Sequence, residues 1–563
     1  MRELRLHNYL EDCLINLSNE NGYGNVNASS SSSVKSCLWR GPIQPMGLQN
    51  LNVLELRGCN SVKVVFPHCV VVWMAQLRKL IVKECWKMEH IVGNEEEHND
   101  DDDNRVEFPK LESLLLSGMR AFRSFYFAFD TEDTARNTLL NHQVIFPCLE
   151  KVEIYRMKKL SQVVDGQMLS CSLCKVREML VYDCENLSVV AASDMGSLQR
   201  LEVSDCESLE AVFSFEGNQA TLGQLNYLYL QNLPKLVEIW RIPSPGNGTF
   251  QNLRYLIVGE CKNLRLWLPF HVAKMLVKIQ EILIAQCETM EGVIETDREN
   301  DAELAVFPDL ERIQLEDLPM LEMFSSGSLR RLDIAGCPKW KIFHKAPISD
   351  SKSIKTSNLK TSEGSFFHQK VKFPSLEILY ISEKVELLPD GILVLRNLTK
   401  LNICNCDNVR YLLSPSIARE LSSIQELWIE KCKLIEEIVV RDVEDDEKVD
   451  KLVLPQLKKL ILMKLENFKW LFHGDLDFPS FVFFEFDECP KMEVLCCGTL
   501  CTTKPIEVKL RYPEIIWTQD LNDTIRSKYT RESAVKNEAE SSTTVVEDVE
   551  FEEAERQAGE MNE

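Results

Sequence analysis

The sequence predicts an α/β repeat fold: a leucine-rich-repeat solenoid, curved, with parallel strands on a concave face and an irregular or helical convex side. Three observations carry this. A frame of the form L-x-x-L-x-L-x-x-C-x-x-L recurs along the 563 residues, cleanest at Leu198-Leu201-Val203-Cys206-Leu209 and again at Leu398-Leu401-Ile403-Cys406-Val409 and Ile424-Leu427-Ile429-Cys432-Ile435. Its L-x-L centre has period two, the mark of a short strand with two side chains pointing inward. Ten of the 20 cysteines occupy the ninth position of the frame. Self-similarity at this period is the signature of stacked supersecondary units, none of which closes a core alone.

The frame begins at Leu51, Leu77, Leu111, Leu149, Val176, Leu198, Leu225, Leu253, Ile279, Leu310, Leu329, Leu376, Leu398, Ile424, Leu457 and Phe481. Burying each Leu or Ile contributes roughly 1.5–3 kcal/mol, and only a neighbouring unit supplies the cover. Cysteine stands ninth at residues 59, 85, 184, 206, 261, 287, 337, 406, 432 and 489; elsewhere the position is mostly Leu or Met, as at Met119, Met157, Leu233, Leu318 and Leu465. A small, weakly polar thiol suits a buried turn, so these are expected to be reduced structural side chains. Phe108-Pro109, Phe146-Pro147, Phe307-Pro308, Phe373-Pro374 and Phe478-Pro479 open several units, with proline ahead of the strand where its missing N–H is tolerated.

In chain order, residues 1–50 hold a degenerate repeat or a cut helix, Leu4 to Leu14, followed by a Ser/Asn-rich loop. A first block of repeats is expected over 51–345 and a Ser/Lys-rich loop or hinge over 346–372. A second block is expected over 373–500, a C-terminal cap over 501–525, and an acidic disordered tail over 526–563.

The net charge is −23, and residues 94–107, 295–303, 441–451 and 531–563 together carry all but one unit of it. The three internal segments read as solvated loops between repeats, with an electrostatic latch against a basic partner domain as the functional alternative. Acidity and the absence of a basic stripe count against nucleic-acid binding. No apolar run approaches a membrane span, and Met1 is not followed by a signal-peptide pattern. With reduced cysteines, this points to the cytoplasm, with nuclear access left open. No cofactor or metal site is expected. Cys171-Ser172-Leu173-Cys174 has no second pair at zinc-site spacing, Cys496, Cys497 and Cys501 form a small cluster near the last repeat, and residues 94–107 contain no calcium loop. The nine histidines show no catalytic context, so no enzyme is expected.

A solenoid works by its surface. The residue between the last two apolar positions of L-x-x-L-x-L faces outward from the strand. That column contains Tyr229, Ile257 and Leu283 in consecutive units, and Tyr380, Trp428 and Ile461 later. Apolar and aromatic side chains on a sheet face mark interaction sites, which makes these six the candidate protein-binding residues.

Cys-type units followed by an acidic loop and an aromatic-Pro start, as from Cys85 to Leu111, Cys287 to Leu310 and Cys432 to Leu457, resemble a known family. So do the segments from Leu412 to Leu421 and from Trp517 to Ile525. The family is the leucine-rich-repeat region of plant coiled-coil nucleotide-binding disease-resistance proteins, and the likeness spans about residues 51–525. It implies a role in sensing a pathogen effector or guarded host protein, or in restraining a nucleotide-binding domain in cis or in trans. The P-loop of that domain is missing, since no Gly-Lys pair occurs in the sequence, and no heptad run is present; neither activity carries over. A ubiquitin-ligase substrate receptor also uses Cys-type repeats. It would bring an N-terminal F-box and steadier repeats of about 26 residues. A general repeat scaffold is the other alternative.

Overall fold

A computed structural model describes residues 2–8, 15–16, 38–40, 48–93, 105–127, 137–166, 172–191, 195–214, 222–241, 249–268, 270–294, 307–321, 329–338, 375–383, 396–407, 409–413, 418–419, 421–440, 451–509, 515–518 and 521–527. The chain forms two compact units, Met1–Leu329 and Arg330–Glu563. Their division falls ahead of the Ser/Lys-rich segment in which a hinge was expected, and that segment lies outside the described residues. So do the tail beyond residue 527 and most of the three internal acidic segments.

Every frame start is followed two residues later by a five-residue strand, from Val53–Arg57 to Phe483–Asp487. In the first unit these strands pair in parallel, in sequence order and without register shift: Glu178 faces Arg200, Arg200 faces Tyr227, Tyr227 faces Tyr255, and Tyr255 faces Glu281. Alternation then sorts side chains by face. Leu201 and Val203, Leu228 and Leu230, and Ile282 and Ile284 are buried, while the first and third residues of the same strands stay on the open side. The ambiguous N-terminal segment is a repeat strand: Glu3–His7 pairs with Val53–Arg57 and extends the ladder. In the second unit the ladder runs from Arg331–Ala335 to Phe483–Asp487 and continues into Ile506–Lys509. Ile515–Thr518 then turns back antiparallel, and residues 521–527 are helical with Leu521 and Ile525 buried.

The return side differs in part from expectation. Its described helices are short, such as the four-residue His68–Val71 and Phe270–Ala273. Most return segments instead carry a second short strand, as in Gln162–Val164, Val189–Ala191, Ala211–Ser214 and Glu238–Arg241, which pair in parallel. The runs in these segments are β-branched and aromatic and too short to nucleate a helix. The aromatic-Pro starts feed this side. Phe108 and Phe146 stack with centroids 5.9 Å apart, and Phe125 meets both edge-on at 5.4 and 5.0 Å. Phe213, Trp240 and Phe250 form a second such cluster.

The turn after each strand explains the ninth-position cysteines. The eighth residue is left-handed: φ is +64° at Gly58, +56° at Glu84, +67° at Gly118, +55° at Asp183 and +56° at Asp205. Its N–H donates to the last carbonyl of the next strand, as Asp183 N–H does to Ser204 O at 3.0 Å. That carbonyl has a second lone pair, and the Cys206 thiol donates to it at 3.3 Å. The arrangement repeats at Cys261 onto Gly259 O, Cys287 onto Ala285 O and Cys432 onto Glu430 O. All ten frame cysteines are buried thiols, none of them in a disulfide. Within neighbouring pairs, a hydrogen bond from thiol to thiol together with burial holds Cys85, Cys184, Cys261 and Cys406 well above the ordinary thiol range. They stay protonated and donate.

Candidate protein-binding surface

On the open face of the long sheet each strand shows three positions, its first, third and fifth. In the first unit, register brings tyrosines from four strands together there. Tyr155 and Tyr182 are fifth residues of adjacent strands, and their rings stack with centroids 5.3 Å apart and 5° between planes. Tyr227 and Tyr255 are first residues of adjacent strands, 6.4 Å apart. Tyr229 lies in the central column, in register with Glu202 on one side and Ile257 on the other, with Leu283 beyond.

Polar links fix these rings. The Tyr155 hydroxyl donates to Glu153 Oε1 at 3.3 Å, and the Tyr182 hydroxyl donates to Glu202. Glu202 also pairs with Arg200, whose guanidinium lies over the Tyr227 ring, 4.3 Å from its centroid. Cation–π contacts of this kind are worth about 0.5–1 kcal/mol at exposed sites. Partial burial raises the phenol pKa of Tyr155, Tyr182, Tyr227 and Tyr229, and nearby carboxylates raise it further. The phenols therefore remain neutral donors across physiological pH. At the edge of the patch, Gly259 leaves room for Gln231: a Cβ there would meet Gln231 Oε1 at 2.2 Å.

Of the six candidates from the sequence, Tyr229, Ile257 and Leu283 form one contiguous strip, each half-buried. In the second unit, Tyr380 is half-buried, with Asn402 between it and Trp428 in the register. Trp428 is 38% exposed. Ile461 departs from the expected open column, being only 5% exposed. Its register neighbours are the indole of Trp428 and Glu485, the latter held by Lys509 at 2.6 Å, and these larger groups flank a short aliphatic side chain. The sequence reading missed Tyr155, Tyr182, Tyr227 and Tyr255 because it followed the central column alone. The signal was present two residues to either side.

Cys174, Cys497 and Cys501 are exposed and Cys496 is buried, while Cys171 lies outside the described residues. Among the described residues no helix is long and apolar enough to cross a membrane.

A parallel ladder built on this frame, with one short return segment per strand, defines a leucine-rich-repeat protein. The chain belongs to the family described as plant disease resistance protein RPS2-like, leucine-rich repeats, whose sequence model matches residues 25–126, 148–288, 247–327 and 320–433. It is similar to the "Probable disease resistance protein At5g47260" of Arabidopsis thaliana, 27% identical over 175 residues, 29% of this chain. That match spans 18% of the relative's length. Among solved structures it resembles a circular leucine-rich-repeat protein, CroV588, at 11% identity with a TM-score of 0.32, covering 79% of this chain and 71% of that one. It also resembles TLR13 in its TLR13-ssRNA13 complex, at 14% identity with a TM-score of 0.23, covering 78% of this chain and 81% of that one.

Proposed function

We propose that this chain is a non-catalytic recognition module of plant innate immunity that acts in the cytoplasm. It captures a pathogen effector or a guarded host protein, or restrains a nucleotide-binding switch domain in cis or in trans. The contact surface is the tyrosine patch of the first unit. One observation supports this most strongly. Five tyrosines from four strands, together with Ile257 and Leu283, occupy a face that a purely solvated sheet would fill with charge. Tyrosine presents a large rigid ring and a polar tip at low entropic cost, which makes it a favoured anchor in interfaces.

The test is affinity capture from infected and uninfected plant tissue, with the native chain beside a Tyr229→Ala/Tyr255→Ala variant. The reading expects at least one protein retained by the native chain and lost by the variant, whose fold is intact by circular dichroism. Equal capture by both excludes the patch as the contact surface.

A further inference from the structure

Charge around the tyrosine patch is one-sided. Elsewhere on the open face of the first unit, carboxylates of the central column are neutralised by the chain itself: Glu55 by Arg5 and Arg57, Glu153 by Lys151, and Glu202 by Arg200. At the turn end of the strands beside Tyr229, the carboxylates have neutral partners instead. Ser204 Oγ donates to Asp205 Oδ2 at 2.6 Å, and Asn232 Nδ2 donates to Asp205 Oδ1 at 2.8 Å. Gln231 Nε2 donates to Glu260 Oε1 at 2.6 Å, and Gln314 Nε2 donates to Glu316 Oε2 at 3.4 Å. Among the described residues, no lysine or arginine pairs with Asp205, Glu260 or Glu316.

The neighbouring cations are placed where they do not offset this. Arg200 and Arg312 begin their strands in register with Glu178 and Glu281. Arg156 reaches Asp183 at 3.6 Å, and Lys262 reaches Glu288 at 3.2 Å. Arg254 is exposed and has no carboxylate partner among the described residues. It stands at the far end of its strand from Glu260, roughly 20 Å away, beyond the Debye length of about 8 Å at physiological salt. The field at the Tyr229 hydroxyl is therefore negative: burial raises the phenol pKa, and Tyr227, Glu202, Asp205 and Glu260 raise it further. The same face already shows how a tyrosine and a carboxylate hold a guanidinium. Arg200 lies over the Tyr227 ring and pairs with Glu202. Tyr229 with Asp205 and Glu260 offers the same two groups beside an apolar floor of Ile257 and Leu283, where no described cation of the chain serves them.

We propose that the tyrosine patch takes a basic segment of a protein partner, anchored by an arginine. Its aliphatic stem lies on Ile257 and Leu283, and its guanidinium meets the Tyr229 ring and pairs with Asp205 and Glu260. An arginine suits this surface because its stem covers apolar area while its planar fork both stacks on a ring and bonds carboxylates. The inference deepens the reading of the patch as the contact surface and rests on it.

The test selects a phage library of random heptapeptides on the full native chain, then measures one selected peptide by fluorescence anisotropy beside its arginine-to-citrulline counterpart. Selected peptides should be enriched in arginine over the starting library. Citrulline keeps the shape and removes the charge, and should weaken binding by about tenfold; an Asp205→Asn/Glu260→Gln chain should do the same. That variant should fold as the native chain does, because Asn232 and Gln286 already occupy the same left-handed turn position, at φ +50° and +54°. Tyr229→Ala should also lose the peptide. Peptides that Tyr229→Ala loses but that lack arginine, or that bind the double variant as tightly as the native chain, overturn this inference and leave the patch standing as a contact surface. Peptides that Tyr229→Ala retains count against the patch itself, and with it this inference. Selection of no peptide above the background of an unrelated immobilised protein overturns the inference and leaves the patch to the capture experiment.

Discussion

Replacing Gly118 by valine tests whether the eighth frame position is held left-handed in each unit. The residue sits at φ +67°, and a Cβ there would meet its nearest neighbour, Glu84 Cα, at 3.5 Å, an ordinary contact. The cost is therefore conformational and not steric. A left-handed L-residue costs roughly 1–2 kcal/mol, with a β-branched side chain at the upper end. The Gly118 N–H donates to Tyr155 O at 2.8 Å, so opening this turn also releases the pairing between Ser113–Ser117 and Lys151–Tyr155. Because neighbouring units stabilise one another, the loss should be local before it is global. Hydrogen exchange reads it directly: amides of Ser113–Ser117 and Lys151–Tyr155 should exchange about 5- to 30-fold faster, while those beyond Arg312–Glu316 stay unchanged. The reverse substitution supplies the control. Glu84 holds φ +56° with its side chain exposed, so Glu84→Gly relieves strain while raising unfolded-state entropy, a net change within about 0.5 kcal/mol. Native exchange in Gly118→Val, or strong destabilisation in Glu84→Gly, would refute the turn argument.

Other perturbations follow from burial and charge. His90 is 8% exposed, and burial lowers its pKa to about 4. Ser124 spends its proton on Tyr126 O, so the neutral ring donates from Nδ1 to Ser124 Oγ at 2.9 Å. As pH falls from about 6.5 to 4 the unfolded chain takes a proton that the folded chain refuses. Stability should drop by about 3 kcal/mol over that window, and His90→Asn should remove this part of the slope in denaturant titrations; an unchanged slope would refute the assignment. Phe108→Ala empties the centre of the stacked phenylalanines and should cost about 3–5 kcal/mol; a loss under 1 kcal/mol in urea unfolding would contradict the packing. Cys206→Ser should destabilise more than Cys206→Ala, by about 1 kcal/mol, because a buried hydroxyl costs more to desolvate and is too short to reach Ser204 O as the thiol does.

Much of this fold was legible because the frame repeats. A two-residue period flanked by invariably apolar anchors leaves one register per strand, and slipping by one would expose Leu201 and Val203 together. The return side was harder to read. Segments such as Val189–Ala191 and Ala211–Ser214 are three or four residues long, and no periodicity separates a short strand from irregular chain at that length. The open face was half-legible. Tyr229, Ile257 and Leu283 follow from one column of the frame. The partnership of Tyr155 with Tyr182, and of Arg200 with Tyr227, depends on register between strands separated by loops of variable length. Burial of Ile461 depended on what its neighbours are, which a single column does not contain.

The proposed function stands on a partner docking at the tyrosine patch. The most direct measurement is covalent tyrosine labelling of the chain, free and in complex with a captured partner, read residue by residue by mass spectrometry. Tyr229 and Tyr255 should lose most of their labelling in the complex while Tyr411, on the return side of the second unit, keeps its own. Unchanged labelling at Tyr229 and Tyr255 with protection elsewhere would contradict it.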